Sequence, residues 1–197
     1  NAVVLPRAAI ATSETGLARL IGHELFHVLS RANPELRDRL YEAIGFVKCG
    51  ELEFPAALKS RKITNPDAPH NDHCIRLQAD GKPVWAIPIL YSRSEKYDPA
   101  RGGEFFAYLQ FQFLVVERRD VSLGVEPVLD GREPRLLDLQ DADGFFEQVG
   151  RNTGYLIHPE EILADNFALL VMPGKTVRSP KILSAIENVL KEGRAGR

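Results

Sequence analysis

His23, Glu24 and His27 stand in the order His-Glu-x-x-His, and these residue types at this spacing can hold a metal ion and use it. On an α-helix, positions four apart lie about 40° from each other around the axis, so both imidazoles reach one ion from one face. Glu24 is rotated by about 100° from His23, which sets its carboxylate beside the ion rather than on it. There it can take the proton of a metal-bound water. Zinc polarises a carbonyl and lowers the pKa of bound water towards neutrality, so the chemistry expected of the pentapeptide is metal-assisted hydrolysis.

The helix that must present these groups runs from Thr12 to Arg31. Thr12 and Ser13 are N-cap candidates, and the pattern stops before Asn33-Pro34. Leu17, Leu20, Ile21, Leu25, Val28 and Leu29 make most of its surface apolar, as expected of a helix buried in the interior. Two histidines and a glutamate on such a helix need partners, because burying them unpaired is costly. The plain alternative to a metal is a packed helix whose histidines are satisfied by neighbouring carbonyls.

Catalytic zinc takes three protein ligands and leaves the fourth position to water. A third histidine close by is excluded, because Ser30 and Asn33 occupy the positions where that motif needs Gly and His. A carboxylate must come from elsewhere, and the best source is the segment His158 to Ala168. Pro159 suits the first turn of a helix there, and Pro173-Gly174 suits its end. Glu161 and Asp165 are four apart on one face, so Glu161 can ligate while Asp165 accepts the far N–H of a ligating histidine and fixes its tautomer. Glu160, Glu147, Glu104, Asp98 and Asp72 compete for the ligand position. Glu160 has Ala164 four places later and so has no acid in the orienting position. Acids also favour a helix N-terminus through the macrodipole, whatever else they do.

His23, Glu24, His27, Glu161 and Asp165 together resemble the gluzincins, zincin metallopeptidases whose third ligand is a glutamate on a second helix. The run Ala164-Asp165-Asn166-Phe167-Ala168, with Met172-Pro173 after it, is similar to the second helix of the ImmA/IrrE-type metallopeptidases, which usually carry Asn where Asp165 stands. The resemblance implies His23, His27 and Glu161 as zinc ligands, Glu24 as general base and Asp165 as the group that orients a histidine. It covers two helices. His27 and Glu161 are 161 − 27 = 134 residues apart, more than is typical of either group. Either an insertion separates the helices or another residue is the third ligand.

A peptidase also needs a donor to the developing oxyanion. Tyr155 and His158 precede the Glu161 helix and are the catalytic candidates for that role. A packed Tyr155 and a His158 serving only as helix cap are the alternatives.

The fold expected around these helices is α+β and zincin-like. The active-site helix pair carries a small antiparallel sheet inserted between its two metal-binding helices. One domain spans 1–197, with the β subdomain at about 73–117. Ala2 to Ile10 reads as an edge strand, since Pro6 excludes a central place. Edge strands of zincins bind peptide by strand addition, and Asn1-Ala2 resembles the start of that strand in thermolysin-like enzymes. A second helix follows the first, with Asn33 as cap, Pro34 at its first position and Gly45 past its end. Residues 50–72 read as irregular. Cys74 to Ala79 and Pro83 to Tyr91 form a hairpin around Asp80-Gly81, and Leu109, Phe111, Phe113 and Val115 alternate along a further strand. Trp85, Tyr91, Phe105, Phe106 and Tyr108 are expected in the core of this sheet rather than in a substrate subsite. Asp141 to Arg151 reads as a short helix, and a last helix begins at Pro180 after Ser179 and stops at Gly193.

A net charge of −2 offers no electrostatic case for nucleic acid or an anionic membrane, and no apolar run approaches the roughly 18 residues of a membrane span. The chain is expected to be soluble, with the cytoplasm favoured. Cys49 and Cys74 permit one disulfide or two thiols. His70, His73 and Cys74 place three metal-capable ligands in five residues, but on a loop-like segment, and read as a polar loop. The expected function is a zinc-dependent peptidase acting on a peptide or protein through a metal-bound water activated by Glu24. The alternative is a zincin-like regulatory or partner-binding module that holds zinc without turnover, which would have no use for Glu24.

Overall fold

A computed structural model of the chain describes residues 3–5, 10, 13–96, 98–101, 105–118, 124–172 and 176–195. In chain order the elements are α1 (Glu14–Ala32), α2 (Pro34–Glu42), β1 (Phe46–Lys48), α3 (Ala56–Lys59), β2 (His73–Ala79), β3 (Lys82–Ser92) and β4 (Leu109–Arg118). Then come β5 (Val125–Pro127), β6 (Leu129–Asp130), β7 (Glu133–Pro134), β8 (Leu136–Leu137), α4 (Phe145–Val149), α5 (Pro159–Val171) and α6 (Pro180–Ala195). They fall into a helical unit, Asn1–Phe46 with Phe146–Arg197, and a sheet unit, Val47–Phe145. The architecture is α+β with an antiparallel sheet. Among the described residues no helix is long and apolar enough to cross a membrane.

The helical unit is organised by α1 and α5. Ser13 caps α1, its hydroxyl accepting from the Gly16 N–H at 3.2 Å, while Thr12 lies outside the described residues. His158 caps α5, its Nδ1 accepting from the Glu160 N–H at 3.1 Å, with Pro159 in the first turn. The two helices meet at Gly22, where a Cβ would stand 3.2 Å from Ala168 Cα and 3.3 Å from its Cβ. A hydrogen in place of a side chain lets the backbones approach this closely. One turn on, the Phe26 ring lies 5.7 Å from that of Phe167, and full burial of Phe26 contributes roughly 2–3 kcal/mol.

The side of α1 that is buried carries Gly22, Phe26, His27 and Ser30. Ile21 and Leu25 are 40% and 49% exposed, so part of the apolar surface expected to be buried on α1 faces outward. The side that packs on α5 is instead the one that bears the histidines. Asn33 donates its Nδ2 to Leu29 O at 2.9 Å and gives α2 no side-chain cap. α6 continues through Gly193 to Ala195, since an isolated glycine costs a helix only about 1 kcal/mol. Most of the Ala2–Ile10 segment lies outside the described residues, and Val3, Val4 and Leu5 carry no regular structure.

The sheet unit orders its strands β1-β2-β3-β4-β5, with β8 also on β4. β2 and β3 pair from Ile75↔Ala86 to Ala79↔Lys82. Asp80 (φ 52) and Gly81 (φ 71) join them, and positive φ at both positions is the type I′ turn that matches strand twist. β3 and β4 pair from Trp85↔Val116 to Ser92↔Leu109. Cys49, Cys74, Ile87, Ile89, Tyr91, Leu114 and Val116 form the core, with Leu52, Phe54 and Leu58 from the segment before β2. Trp85 is partly buried against this core, and Tyr108 donates its hydroxyl to Asp98 O at 3.0 Å. The side chains of Phe105 and Phe106 lie outside the description.

The sheet starts at Phe46 and reaches Leu137, beyond the 73–117 expected, because β1, β5 and β8 are two or three residues long and show no periodicity. Residues 50–72 carry the four-residue α3 and isolated bridges at Leu52, Lys62 and Asn65–Ala68. Of the helix expected over Asp141 to Arg151, only Phe145–Val149 forms; Gly144 before it has φ 84, outside the helical region.

Candidate metal centre

α1 turns His23 and His27 to the same side, with ring centroids 4.8 Å apart and planes at 81°. α5 brings Glu161 to them: its Oε2 lies 3.0 Å from His23 Nε2 and 3.7 Å from His27 Nε2. Zinc bonds of about 2.0–2.1 Å at a tetrahedral angle separate neighbouring ligand atoms by roughly 3.3 Å, a value these two distances bracket. Ligand atoms of all three residues lie within 4.8 Å of one another. His27 Nε2 is buried and has no hydrogen-bond partner among the described residues. An unsatisfied buried polar atom costs about 1–3 kcal/mol, and a divalent cation at the convergence point would satisfy it. The donor set of two imidazoles and one carboxylate is one that zinc takes in catalytic sites.

Each histidine is aimed by its own carboxylate. His23 Nδ1 stands 3.1 Å from Asp165 Oδ1; the other Asp165 oxygen accepts from the Thr153 hydroxyl and lies 3.4 Å from the Arg19 guanidinium. His27 Nδ1 stands 3.0 Å from Glu160 Oε1. Glu160 also accepts from the Ser30 hydroxyl and, at 2.6 Å, from the Tyr41 hydroxyl. Donation from both Nδ1–H groups leaves both Nε2 atoms to face Glu161, the tautomer a metal requires.

The electrostatics follow from this packing. Burial alone would push His23 down, but hydrogen bonds to Asp165 and Glu161, with the charges of both, outweigh it and raise His23 from 6.5 to about 9. Asp165 is lowered: burial opposes this, but the hydrogen bonds from His23 and Thr153 and the charge of Arg19 prevail. Without a metal, His23 is an imidazolium at neutral pH, held between two carboxylates.

Glu24 is half-exposed on α1 beside His23. The Tyr155 ring is exposed and stacks on the His23 ring with centroids 6.4 Å apart. His158 is buried, its Nδ1 occupied by the Glu160 N–H and its ring against that of Tyr41. Among the rival third ligands, Glu160 is on the far nitrogen of His27. Asp72 pairs with His73 at 2.7 Å, and Asp98 accepts from the Ala100 N–H at 3.0 Å. Glu147 accepts Lys181 Nζ at its backbone carbonyl, and Glu104 lies outside the described residues. His70 pairs with Glu51 at 3.0 Å, while His73 and Cys74 open β2 rather than a loop. Among the described residues no other group of three potential ligands converges.

Sequence reasoning missed Glu160, Tyr41, Ser30, Thr153 and Arg19 as supports of the site. Ser30 is three residues after His27 and Arg19 four before His23, so helical spacing alone places both beside the ligands. Nothing local marks Tyr41 or Thr153. No protein-family model, curated protein or solved structure matches the chain.

Proposed function

We propose that the chain is a zinc-dependent peptidase of the gluzincin type, with His23, His27 and Glu161 as ligands and a peptide or protein as substrate. One observation carries this reading: the three ligand atoms converge from α1 and α5 while each histidine hands its far nitrogen to a separate carboxylate. Helices packed for stability alone have no need of this arrangement, since it concentrates three carboxylates around two imidazoles in a largely buried place. When bound, zinc supplies Lewis-acid polarisation of the scissile carbonyl and a lowered pKa for water.

The chain's own residues do the rest. Glu24, which has no hydrogen bond or ion pair among the described residues, receives a proton from the attacking water and passes it to the leaving amine. Asp165 and Glu160 hold the histidine rings in place. Tyr155, whose exposed ring stacks on that of His23, is the residue that would donate its hydroxyl to the oxyanion. His158 fixes the first turn of α5, and with it Glu160 and Glu161.

The test is metal content together with peptide hydrolysis in two variants. The parent carries about one zinc per chain, Glu161→Ala loses it, and Glu24→Gln keeps metal and melting temperature while hydrolysis falls by a factor of 10² or more, on the order expected for loss of a general base. A Glu24→Gln chain that cleaves as fast as the parent removes Glu24 from the mechanism. A parent that takes up no zinc removes the enzyme.

A further inference from the structure

After α4 the chain turns at Gly150 (φ 76), where a Cβ would stand 2.6 Å from Ile182 Cγ1 and 2.8 Å from Ser179 Cβ. Glycine lets the backbone pass this close to the start of α6. The next three residues are stitched in turn to the helices around them. The Arg151 N–H donates to Ser179 Oγ at 2.9 Å. Asn152 Oδ1 accepts from the Ser179 N–H at 2.7 Å, while its Nδ2 donates to Ser179 O at 3.0 Å and to Asn166 Oδ1 at 2.9 Å. Thr153 donates its hydroxyl to Asp165 and accepts from the Tyr155 N–H at 2.9 Å.

The Asn152 amide fits in one orientation. The Ser179 N–H can only donate and its carbonyl only accept, so Oδ1 faces the first and Nδ2 the second. Asn166 is fully buried, and its Nδ2 donates to Ile162 O at 2.7 Å, which turns its Oδ1 to Asn152. Both hydrogens of Asn152 Nδ2 are thereby used, and a fully matched polar network rigidifies the backbone that carries it. Asn152 and Thr153 grip consecutive residues of α5, Asn166 and Asp165. Asn152 itself bonds to Asn166 and Ser179 and to no metal-binding residue among the described residues, so its influence on the centre passes through its neighbour.

We propose that Asn152 is a positioning residue of the metal centre. By clamping the 150–155 segment to α5 and α6 it sets the Thr153 hydroxyl. That one hydroxyl then fixes two things: Asp165, which orients His23, and the backbone of Tyr155, whose ring stacks on that of His23. All of these residues lie in the helical unit. The inference rests on the zinc reading of His23, His27 and Glu161 but on no step of catalysis. Linkage makes it reciprocal: a clamp that favours zinc is itself favoured by zinc, by the same factor.

Chelator-competed zinc affinity of the full chain tests this, measured where circular dichroism shows each variant folded. Asn152→Ala should bind zinc about 3–30-fold more weakly than the parent, and Thr153→Val about 10–100-fold. Thr153→Ser, which keeps the hydroxyl, should match the parent. The double variant should be no weaker than Thr153→Val alone, because Asn152 acts through Thr153. Ile186→Val trims a fully buried residue of α6 away from the clamp and should lower stability but not zinc affinity. In the parent, zinc should slow hydrogen exchange at the Ser179 and Tyr155 amides, which donate to Asn152 and Thr153, more than at any amide of the sheet unit. Parent affinity in Asn152→Ala, an equal loss in Ile186→Val, losses that multiply in the double variant, or slowing at Tyr155 without slowing at Ser179 overturns the proposal and leaves the zinc site standing. A parent that takes up no zinc overturns both. The exchange measurement decides even where a variant fails to fold.

Discussion

Zinc and a proton compete for His23 Nε2, and the structure sets the size of that competition. His23 is raised to about 9 by hydrogen bonds to Asp165 and Glu161 and by their charges, which overcome its burial. Each pH unit below that value divides the apparent zinc affinity by ten, so two units, at pH 7, correspond to a hundredfold or about 2.7 kcal/mol. Solvent reaches 13% of the His23 side chain and 15% of that of Asp165, and screening reduces the effect to between about tenfold and a hundredfold. Apparent affinity should therefore climb by that factor between pH 7 and pH 9, with about one proton released per zinc at pH 7.

Chelator-competed calorimetry in two buffers of different ionisation enthalpy measures the proton count. The stability of the metal-free chain must run the other way. The His23 contribution is complete below about 6.5, its unfolded value, and is lost as pH rises through about 9. Melting temperatures with and without zinc thus diverge as pH increases. Zinc affinity that stays flat from pH 6.5 to 9, with no proton release, would refute the placement of Nε2 against Glu161.

Glu160→Ala removes the buried carboxylate that accepts from the Tyr41 and Ser30 hydroxyls and from His27 Nδ1. Guanidinium unfolding should show a loss of about 3 kcal/mol, and zinc affinity should fall about 10–100-fold; unchanged affinity would strip Glu160 of its orienting role. Gly22→Leu puts a branched side chain where even a Cβ meets Ala168 at 3.2 Å. It should weaken zinc binding more than tenfold with every ligand intact, and full affinity would show that the close approach of α1 and α5 does not position the site. Gly81→Val forces a β-branched residue to φ 71 in the β2–β3 turn, and Trp85 fluorescence should record a loss of about 1–3 kcal/mol. An unchanged unfolding midpoint there would mean that the turn is not type I′.

The histidine helix was legible because its cap, its period and its chemistry coincide between Ser13 and Ala32, and α5 because Pro159 and the acids of its first turn mark its start. The β2–β3 hairpin was legible from Asp80-Gly81, since few other dipeptides accept positive φ at both positions. Strands of two residues, such as β6 and β7, complete a single period of strand alternation, never repeat it, and so leave no trace. Glu160 was misjudged for a different reason. Searching four residues onward asks what shares its own helix, whereas its partners are His27, 133 residues earlier, and Tyr41, 119 earlier. Side-chain triads assembled across a fold have no sequence spacing to read.

The doubled orientation also bears on why a divalent cation suits the site. Glu160, Glu161 and Asp165 sum to a formal charge of −3, against which the structure sets Arg19, so the balance is −2 with neutral imidazoles. A proton on His23 leaves −1, while a dication brings the sum to zero. A group that lowers the Coulomb energy of a partly buried cluster in this way binds strongly even though it must first displace that proton. The hydroxyls of Ser30, Tyr41 and Thr153 hold two of the three carboxylates in place without a metal. The side-chain entropy of ordering them is therefore lost on folding rather than on binding. Glu161 is the carboxylate whose Oε2 faces both Nε2 atoms, and Glu161→Asp, which keeps that charge on a shorter side chain, should lose less zinc affinity than Glu161→Ala.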